Sequence, residues 1–343
     1  MKHRYMLLTI VGTVMALTTA CNGSRDAAPD DPSALLLEQG CYPYAVSHDG
    51  HYYYTMQVRS ADTVAIWQTD DLSQLATARR RNVWTTADSA SLGHFWSPEL
   101  HRIQGRWYLY FEADDGNTDD HQLYVMECEG QDPMTDPFRM RGPIMTNPEW
   151  NFGLHPTVLQ LPQTGELYLL WSGWPTRRAE TETQCIYIAR MENPWTTGSE
   201  RVMISQPEYE WERQWINPDG NRSAYPIFVN ENPEAYLSPD SQRVVVCYSA
   251  SGIWTAYTAL GMLTAPATAD LLDPAAWQKS PEPVLSPDSL TGVSVSNISL
   301  VPAADGQSTV MVYEARSRIG NNNEIRQVRM RPIEWAKNGT PQF

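Results

Sequence analysis

A short strand that opens beside a proline, turns and returns as an aromatic-rich strand occurs five times along this chain of 343 residues. The openings are Tyr42-Pro43-Tyr44-Ala45-Val46, Ser97-Pro98-Glu99-Leu100, His155-Pro156-Thr157-Val158-Leu159, Asn232-Pro233-Glu234-Ala235-Tyr236 and Ser296-Asn297-Ile298-Ser299-Leu300, the last without the proline. Each return is apolar, from Gly50 to Tyr54, Gly105 to Phe111, Gly165 to Trp171, Arg243 to Tyr248 and Thr309 to Tyr313. Such pairs read as β-hairpins. Units this small cannot each bury a core alone, so they are expected to close as a single domain. Recurrence every 50 to 80 residues or so predicts an all-β fold, a five-bladed β-propeller. Two β-sandwiches would leave the recurrence unexplained. In a propeller the first strand of each blade lines the axis, so Tyr42, Ser97, His155, Glu231 with Asn232, and Asn297 are expected to meet at one cavity.

The N-terminus reads as an export signal over residues 1–20: a basic start at Lys2, His3 and Arg4, an apolar run from Tyr5 to Leu17, then small residues before Cys21. The run is short for a membrane span. A cysteine at that point is the pattern of a bacterial lipoprotein, in which Cys21 carries the lipid; ordinary secretion is the alternative. Residues 21–38 are then a lipidated N-terminus and flexible tether, and 39–343 the propeller domain. This places the protein outside the cytoplasm as a bacterial outer-membrane lipoprotein, facing the periplasm or the cell surface, with the membrane touched only through the lipid.

The formal net charge of −15 argues against nucleic acid or an anionic membrane as a partner. Thirteen Trp and seventeen Tyr suit a cleft that stacks on sugar rings, so an oligosaccharide or polysaccharide is the expected partner. Cys41, Cys128, Cys185 and Cys247 lack metal-ligand spacing and read as buried free thiols in a compartment that permits disulfides. The acidic loop Asp114 to Asp120 lacks the EF-hand order and reads as a solvated loop near the cleft. No cofactor and no metal are expected, although the axis leaves room for an ion.

The segment His94-Phe95-Trp96-Ser97-Pro98-Glu99-Leu100-His101, followed by Trp107-Tyr108-Leu109-Tyr110-Phe111, resembles the second-blade signature of glycoside hydrolase family 43. Further matches follow in that family's order: Glu112 to Asn117, Trp171-Ser172-Gly173-Trp174, Val229 to Glu234, Tyr248 to Gly252, Leu272 to Trp277 and Arg331 to Trp335. The resemblance runs from about Cys41 to the C-terminus and implies the five-bladed propeller. It also implies an inverting glycosidase acting on arabinofuranosides, xylosides or galactosides of plant polysaccharides. That chemistry needs an acid at the leaving oxygen and a carboxylate across the ring to activate water.

The resemblance puts the acid at Glu231, in Asn230-Glu231-Asn232-Pro233. The family's base falls at Tyr42, its tuning aspartate at His155 and an axial histidine at Asn297. A phenol with a pKa near 10 is a poor acceptor of water's proton. Three readings follow. Another carboxylate is the base, Glu314 first, then Glu99 and Asp114. Or Tyr42 and His155 carry out β-elimination of a uronic acid, with Arg316 or Arg326 as the cation. Or the protein is a catalytically degenerate glycan-binding lipoprotein. Trp96, Trp174, Trp254, Asn230 and Asn297 are the expected substrate contacts.

Overall fold

A computed structural model describes residues 34–343 except 59, 89–90, 177–181, 217–221, 256, 288–292 and 318–324. The expected signal segment and Cys21 lie outside the described residues. The architecture is all-β, with four short 3-10 turns among the described residues and no α-helix there.

The strands form antiparallel meanders in chain order. The first contains Cys41–His48, His51–Gln57, Thr63–Thr69 and Arg79–Thr85, and the second Gly93–Ile103, Arg106–Asp114, Gln122–Cys128 and Phe138–Ile144. The third is Leu154–Gln160, Leu167–Gly173 and Glu182–Asn193, and the fourth Arg222–Leu237, Arg243–Ala250, Ala259–Pro266 and Gln278–Lys279. A parallel pairing of Glu182 to Gln184 with Ile227 to Val229 joins these two. The last contains Val293–Pro302, Thr309–Ser317 and Ile325–Trp335. Its outer position is taken by Ala34–Leu37 from the other end of the chain, antiparallel to Ile325–Trp335. Residues 34–37 are therefore part of a sheet, although they fall inside the span 21–38 read from the sequence as a tether. Leu36, buried with Val328, Val312 and Tyr54, is the apolar anchor that draws this segment in.

Among the described residues no sheet closes on itself. The circuit is closed by side chains, because every meander is apolar on both faces and buries each against a neighbour. Tyr53, Val64 and Ile66 pack on Leu100, Trp107 and Leu109, and Tyr110 and Val125 on Leu169, Trp171 and Tyr187. Leu170 and Ile188 pack on Val244, Val246 and Tyr248, and Val245 and Cys247 on Ile298, Met311 and Tyr313. Val301 and Val312 then return to Ala45, Tyr54 and Ala65 of the first meander.

Each opening strand breaks its register at the repeated motif. The shifts fall between Cys41 and Tyr44, Trp96 and Glu99, Leu154 and Thr157, Glu231 and Glu234, and Ser296 and Ile298. At these bulges Tyr42, Ser97, His155, Asn232 and Asn297 adopt left-handed backbone, with φ of 53°, 43°, 54°, 57° and 49°. In four of the five the next residue is proline, whose missing N–H leaves no ladder donor unpaired at the bulge. Left-handed backbone costs a non-glycine residue about 1–2 kcal/mol and collects at functional sites.

Candidate active site

Four of these strained residues are held by one device. Their backbone N–H groups donate to side chains on the second strand of the preceding meander: Tyr42 to Glu314 Oε2 (3.3 Å), His155 to Glu112 Oε2 (2.8 Å), Asn232 to Ser172 Oγ (2.9 Å) and Asn297 to Ser249 Oγ (3.2 Å). Where the second meander meets the first, the Thr55 hydroxyl donates to the Pro98 carbonyl. Side-chain bonds extend the circuit. Ser97 Oγ donates to Glu112 Oε1 (3.3 Å), His155 Nδ1 lies 3.2 Å from Ser172 Oγ, Asn232 Nδ2 donates to Asn297 Oδ1, and Asn297 Nδ2 donates to Glu314 Oε2 (2.7 Å). The predicted axial set is thus brought together.

Above this ring lies a cavity of about 270 Å³, lined by Tyr42, Trp96, Asp119, His155, Trp174, Glu231, Trp254 and Arg326 among others. The rings of Tyr42 and His155 face each other with centroids 5.3 Å apart. Glu231 is buried, and its Oε1 accepts the Ile253 N–H at 2.8 Å. The Ile253 carbonyl accepts from the buried Arg316 guanidinium. Ile253 is thereby clamped from both sides, which fixes the half-buried Trp254 beside it. Trp174 is buried and stacks on Phe152 with centroids 3.8 Å apart, so one ring edge serves the wall and the rest serves the core. Trp96, half-buried, packs on His121 at 4.3 Å.

Burial sets the protonation states at the wall. It raises the Tyr42 phenol well above its ordinary value and pushes His155 down to about 3. Glu112, enclosed on all sides, is raised to about 8, mainly by desolvation and also by the charge of Glu231. At neutral pH the ring beneath the cavity therefore holds a phenol and a neutral imidazole, beside a carboxyl whose proton is held far above the ordinary carboxylate range.

Several expected residues stand behind the wall instead of in it. Glu314 has no exposed surface; it takes up Tyr42 and Asn297 and lies 3.4 Å from Arg326 Nε. Asn297 is spent on Asn232 and Glu314, and Asn230 donates to Ser205 Oγ at 2.7 Å in the interior. Asp114 is buried between His94 (2.8 Å) and His121 (3.0 Å). Glu99 pairs with His101 at 2.7 Å deeper along the axis. None of these lines the cavity; Glu314 and Asp114 lie on the second strands of their meanders, and the carboxyl of Glu314 is turned to the ring it braces. Asp119 does line it, at the end of the acidic loop. Its only signal in the sequence was membership of that loop. Among the described residues no cluster of three or more His, Cys, Asp or Glu could hold a metal ion. Cys128, Cys185 and Cys247 are buried and Cys41 is half-buried, all unbridged.

A strained ring of inner strands, with a buried glutamate and aromatic walls above it, is the form of a small-ligand active site. Residues 33–341 match the family model described as Glycosyl hydrolases family 43, and the chain belongs to that family. It is a glycosidase, hydrolysing glycosidic bonds. It is 34% identical, over 98% of its length and 69% of the relative's, to the extracellular exo-alpha-(1->5)-L-arabinofuranosidase of Streptomyces avermitilis. To the protein of the same name from Streptomyces chartreusis it is 33% identical, over 91% of each chain. The solved alpha-L-arabinofuranosidase of Lactobacillus brevis superposes with a TM-score of 0.79 at 32% identity, covering 90% of this chain and 94% of that one.

Proposed function

We propose that the meanders are the blades of a five-bladed β-propeller, and that the protein is an exported exo-acting glycosidase that removes terminal arabinofuranose from plant polysaccharide. The observation that carries this is Glu231, buried on the wall of a one-sugar cavity flanked by Trp96 and Trp254, in a chain of the arabinofuranosidase-containing family. Glu231 delivers the proton to the leaving oxygen. Asp119, the other carboxyl-bearing residue of that lining, activates the attacking water. Tyr42 and His155 occupy the places of the family's base and tuning aspartates but act through shape and hydrogen bonding. A phenol raised by burial does not give up its proton at neutral pH, and an imidazole lowered to about 3 does not take one. That same pair of states speaks against β-elimination. Export rests on the N-terminal signal pattern and on relatives named as extracellular; Cys21 carries the lipid.

The experiment is hydrolysis of an aryl α-L-arabinofuranoside by the wild type and by Glu231→Gln. Gln keeps the volume and the Ile253 contact but has no proton to deliver. Turnover is expected to fall by about 10²- to 10⁴-fold. An E231Q protein that turns over normally removes Glu231 from the role of acid.

A further inference from the structure

The loop that carries Asp119 also contains Asp114, Asp115 and Asp120. Like charges this close repel one another and favour spreading into solvent. Yet Thr118 and Asp119 line the axial cavity, so the loop is held down over the ring. Asn117 caps the short turn Thr118–Asp120: its Oδ1 accepts the Asp119 N–H at 3.2 Å, and its carbonyl accepts the Asp120 N–H at 2.9 Å. Those two bonds shape the turn from within.

An anchor from outside the turn is supplied by His121, which has no exposed surface and immediately precedes the strand Gln122–Cys128. Its carbonyl accepts the Gly153 N–H at 3.1 Å, from the segment that leads into His155. Its Nδ1 lies 3.0 Å from the Thr118 carbonyl and 3.0 Å from Asp114 Oδ2, and its Nε2 lies 3.2 Å from the His94 carbonyl. Burial lowers the pKa of this ring, against the pull of the Thr118 bond and the Asp114 charge, so at neutral pH it keeps one hydrogen. Nδ1 faces two acceptors, one of them charged, and is the nitrogen that carries it. One edge of the ring therefore grips the main chain at Thr118, next to Asp119. One face packs on Trp96 with centroids 4.3 Å apart, and Trp96 is cavity wall as well. The imidazole itself lines none of the cavity.

We propose that His121 is a positioning residue with two separable roles: its Nδ1–H holds Asp119 at the cavity wall through Thr118, and its ring face holds Trp96 against the sugar. The inference rests on the reading of Asp119 as the base and Trp96 as a sugar contact.

Two substitutions separate the roles. His121→Asn sets an amide N–H about where Nδ1 stands but removes the ring, whereas His121→Phe keeps a ring against Trp96 and offers Thr118 no donor. Hydrogen exchange at the Asp119 and Asp120 amides of the full chain reads the loop directly, with the amides of the last meander showing that each variant is folded. In H121F both loop amides should exchange about two- to tenfold faster than in the wild type, the worth of one hydrogen bond, and in H121N they should stay close to it. On an aryl α-L-arabinofuranoside, H121F should lose about 10²-fold in kcat at little-changed KM, as a misplaced reacting group does. H121N should instead raise KM about two- to tenfold, the worth of one aromatic contact, with the smaller loss of kcat. Added to Asp119→Asn, His121→Phe should cost little further kcat, because the group it positions is already gone. Loop amides in H121F that exchange as in the wild type, or H121N and H121F proteins with the same kcat and KM, overturn the proposal. The stated exchange pattern in a protein that does not turn over, or whose D119N variant keeps its kcat, retains His121 as the anchor of the loop and removes the reading of Asp119 as base.

Discussion

The backbone N–H of His155 donates to Oε2 of Glu112 at 2.8 Å, and the accepting carboxyl has no exposed surface. The bond crosses from one meander to the next and holds His155 in the left-handed turn that aims its ring at Tyr42. Glu112→Ala leaves that N–H buried without an acceptor and should cost about 2–4 kcal/mol, combining an unsatisfied donor with a small cavity. Glu112→Gln keeps an acceptor oxygen and should cost about 1 kcal/mol or less. Urea unfolding measures both, and an alanine variant as stable as the glutamine one would show that the bond does not matter.

Asp119 is expected to matter for rate more than for binding. Asp119→Asn should lower kcat by about 10²-fold or more, with KM changed little, since removing a general base takes away an interaction made in the transition state. Steady-state kinetics on an aryl arabinofuranoside checks this. Near-normal kcat in D119N would pass the role of base to another group.

Stability should be greatest in mildly acidic solution. Glu112 has a folded value raised from 4.5 to about 8, so its contribution is full below about 4.5 and is lost as pH rises toward 8. Burial raises Glu99 in the same direction. His155 and His101 are both lowered from 6.5 to about 3, so theirs is full above 6.5 and is lost as pH falls toward 3. Of these four groups, the carboxyls alone change above 6.5 and the histidines alone below 4.5. Melting temperature is therefore expected to fall on both sides of that interval. A melting temperature that climbs from pH 6.5 to 8 would contradict the assignment.

Trp254 is fixed by its neighbour Ile253, which Glu231 and Arg316 grip from opposite sides. Trp254→Ala should raise KM about two- to tenfold, the worth of one aromatic contact of about 0.5–1.5 kcal/mol. Its kcat should stay within about threefold, because the clamp on Ile253 is main-chain. A large loss of kcat at unchanged KM would mean that the indole positions Glu231 instead of the sugar.

The repeated Pro-opening motif was enough to place the inner strands and to name the residues at their bulges. A period of that kind is written in local chemistry: a turn, an aromatic strand and a proline that needs no ladder partner. Glu231 was legible because its surroundings, Asn230-Glu231-Asn232-Pro233, carry a family pattern in consecutive residues. Glu314 was misplaced for the opposite reason. Nothing adjacent to it reveals that its carboxyl turns inward to hold the N–H of Tyr42, 272 residues away in the chain. Asp119 was overlooked because a loop of acids reads as solvated unless it is known to fold over a cavity.

By itself, then, the amino-acid order determined an all-β chain of repeating hairpins and an acidic net charge, and it singled out Glu231 as the residue to propose as proton donor. Those depend on periodicity and composition, which are properties of neighbours along the chain. Which carboxyls face the cavity and which brace the ring was decided only when distant meanders packed together. The contact of the last meander with the first joins Val301 and Val312 to Tyr54 and Ala65. Side-chain direction at the axis depends on bulges tied across meanders, and such ties exist only after distant segments have met.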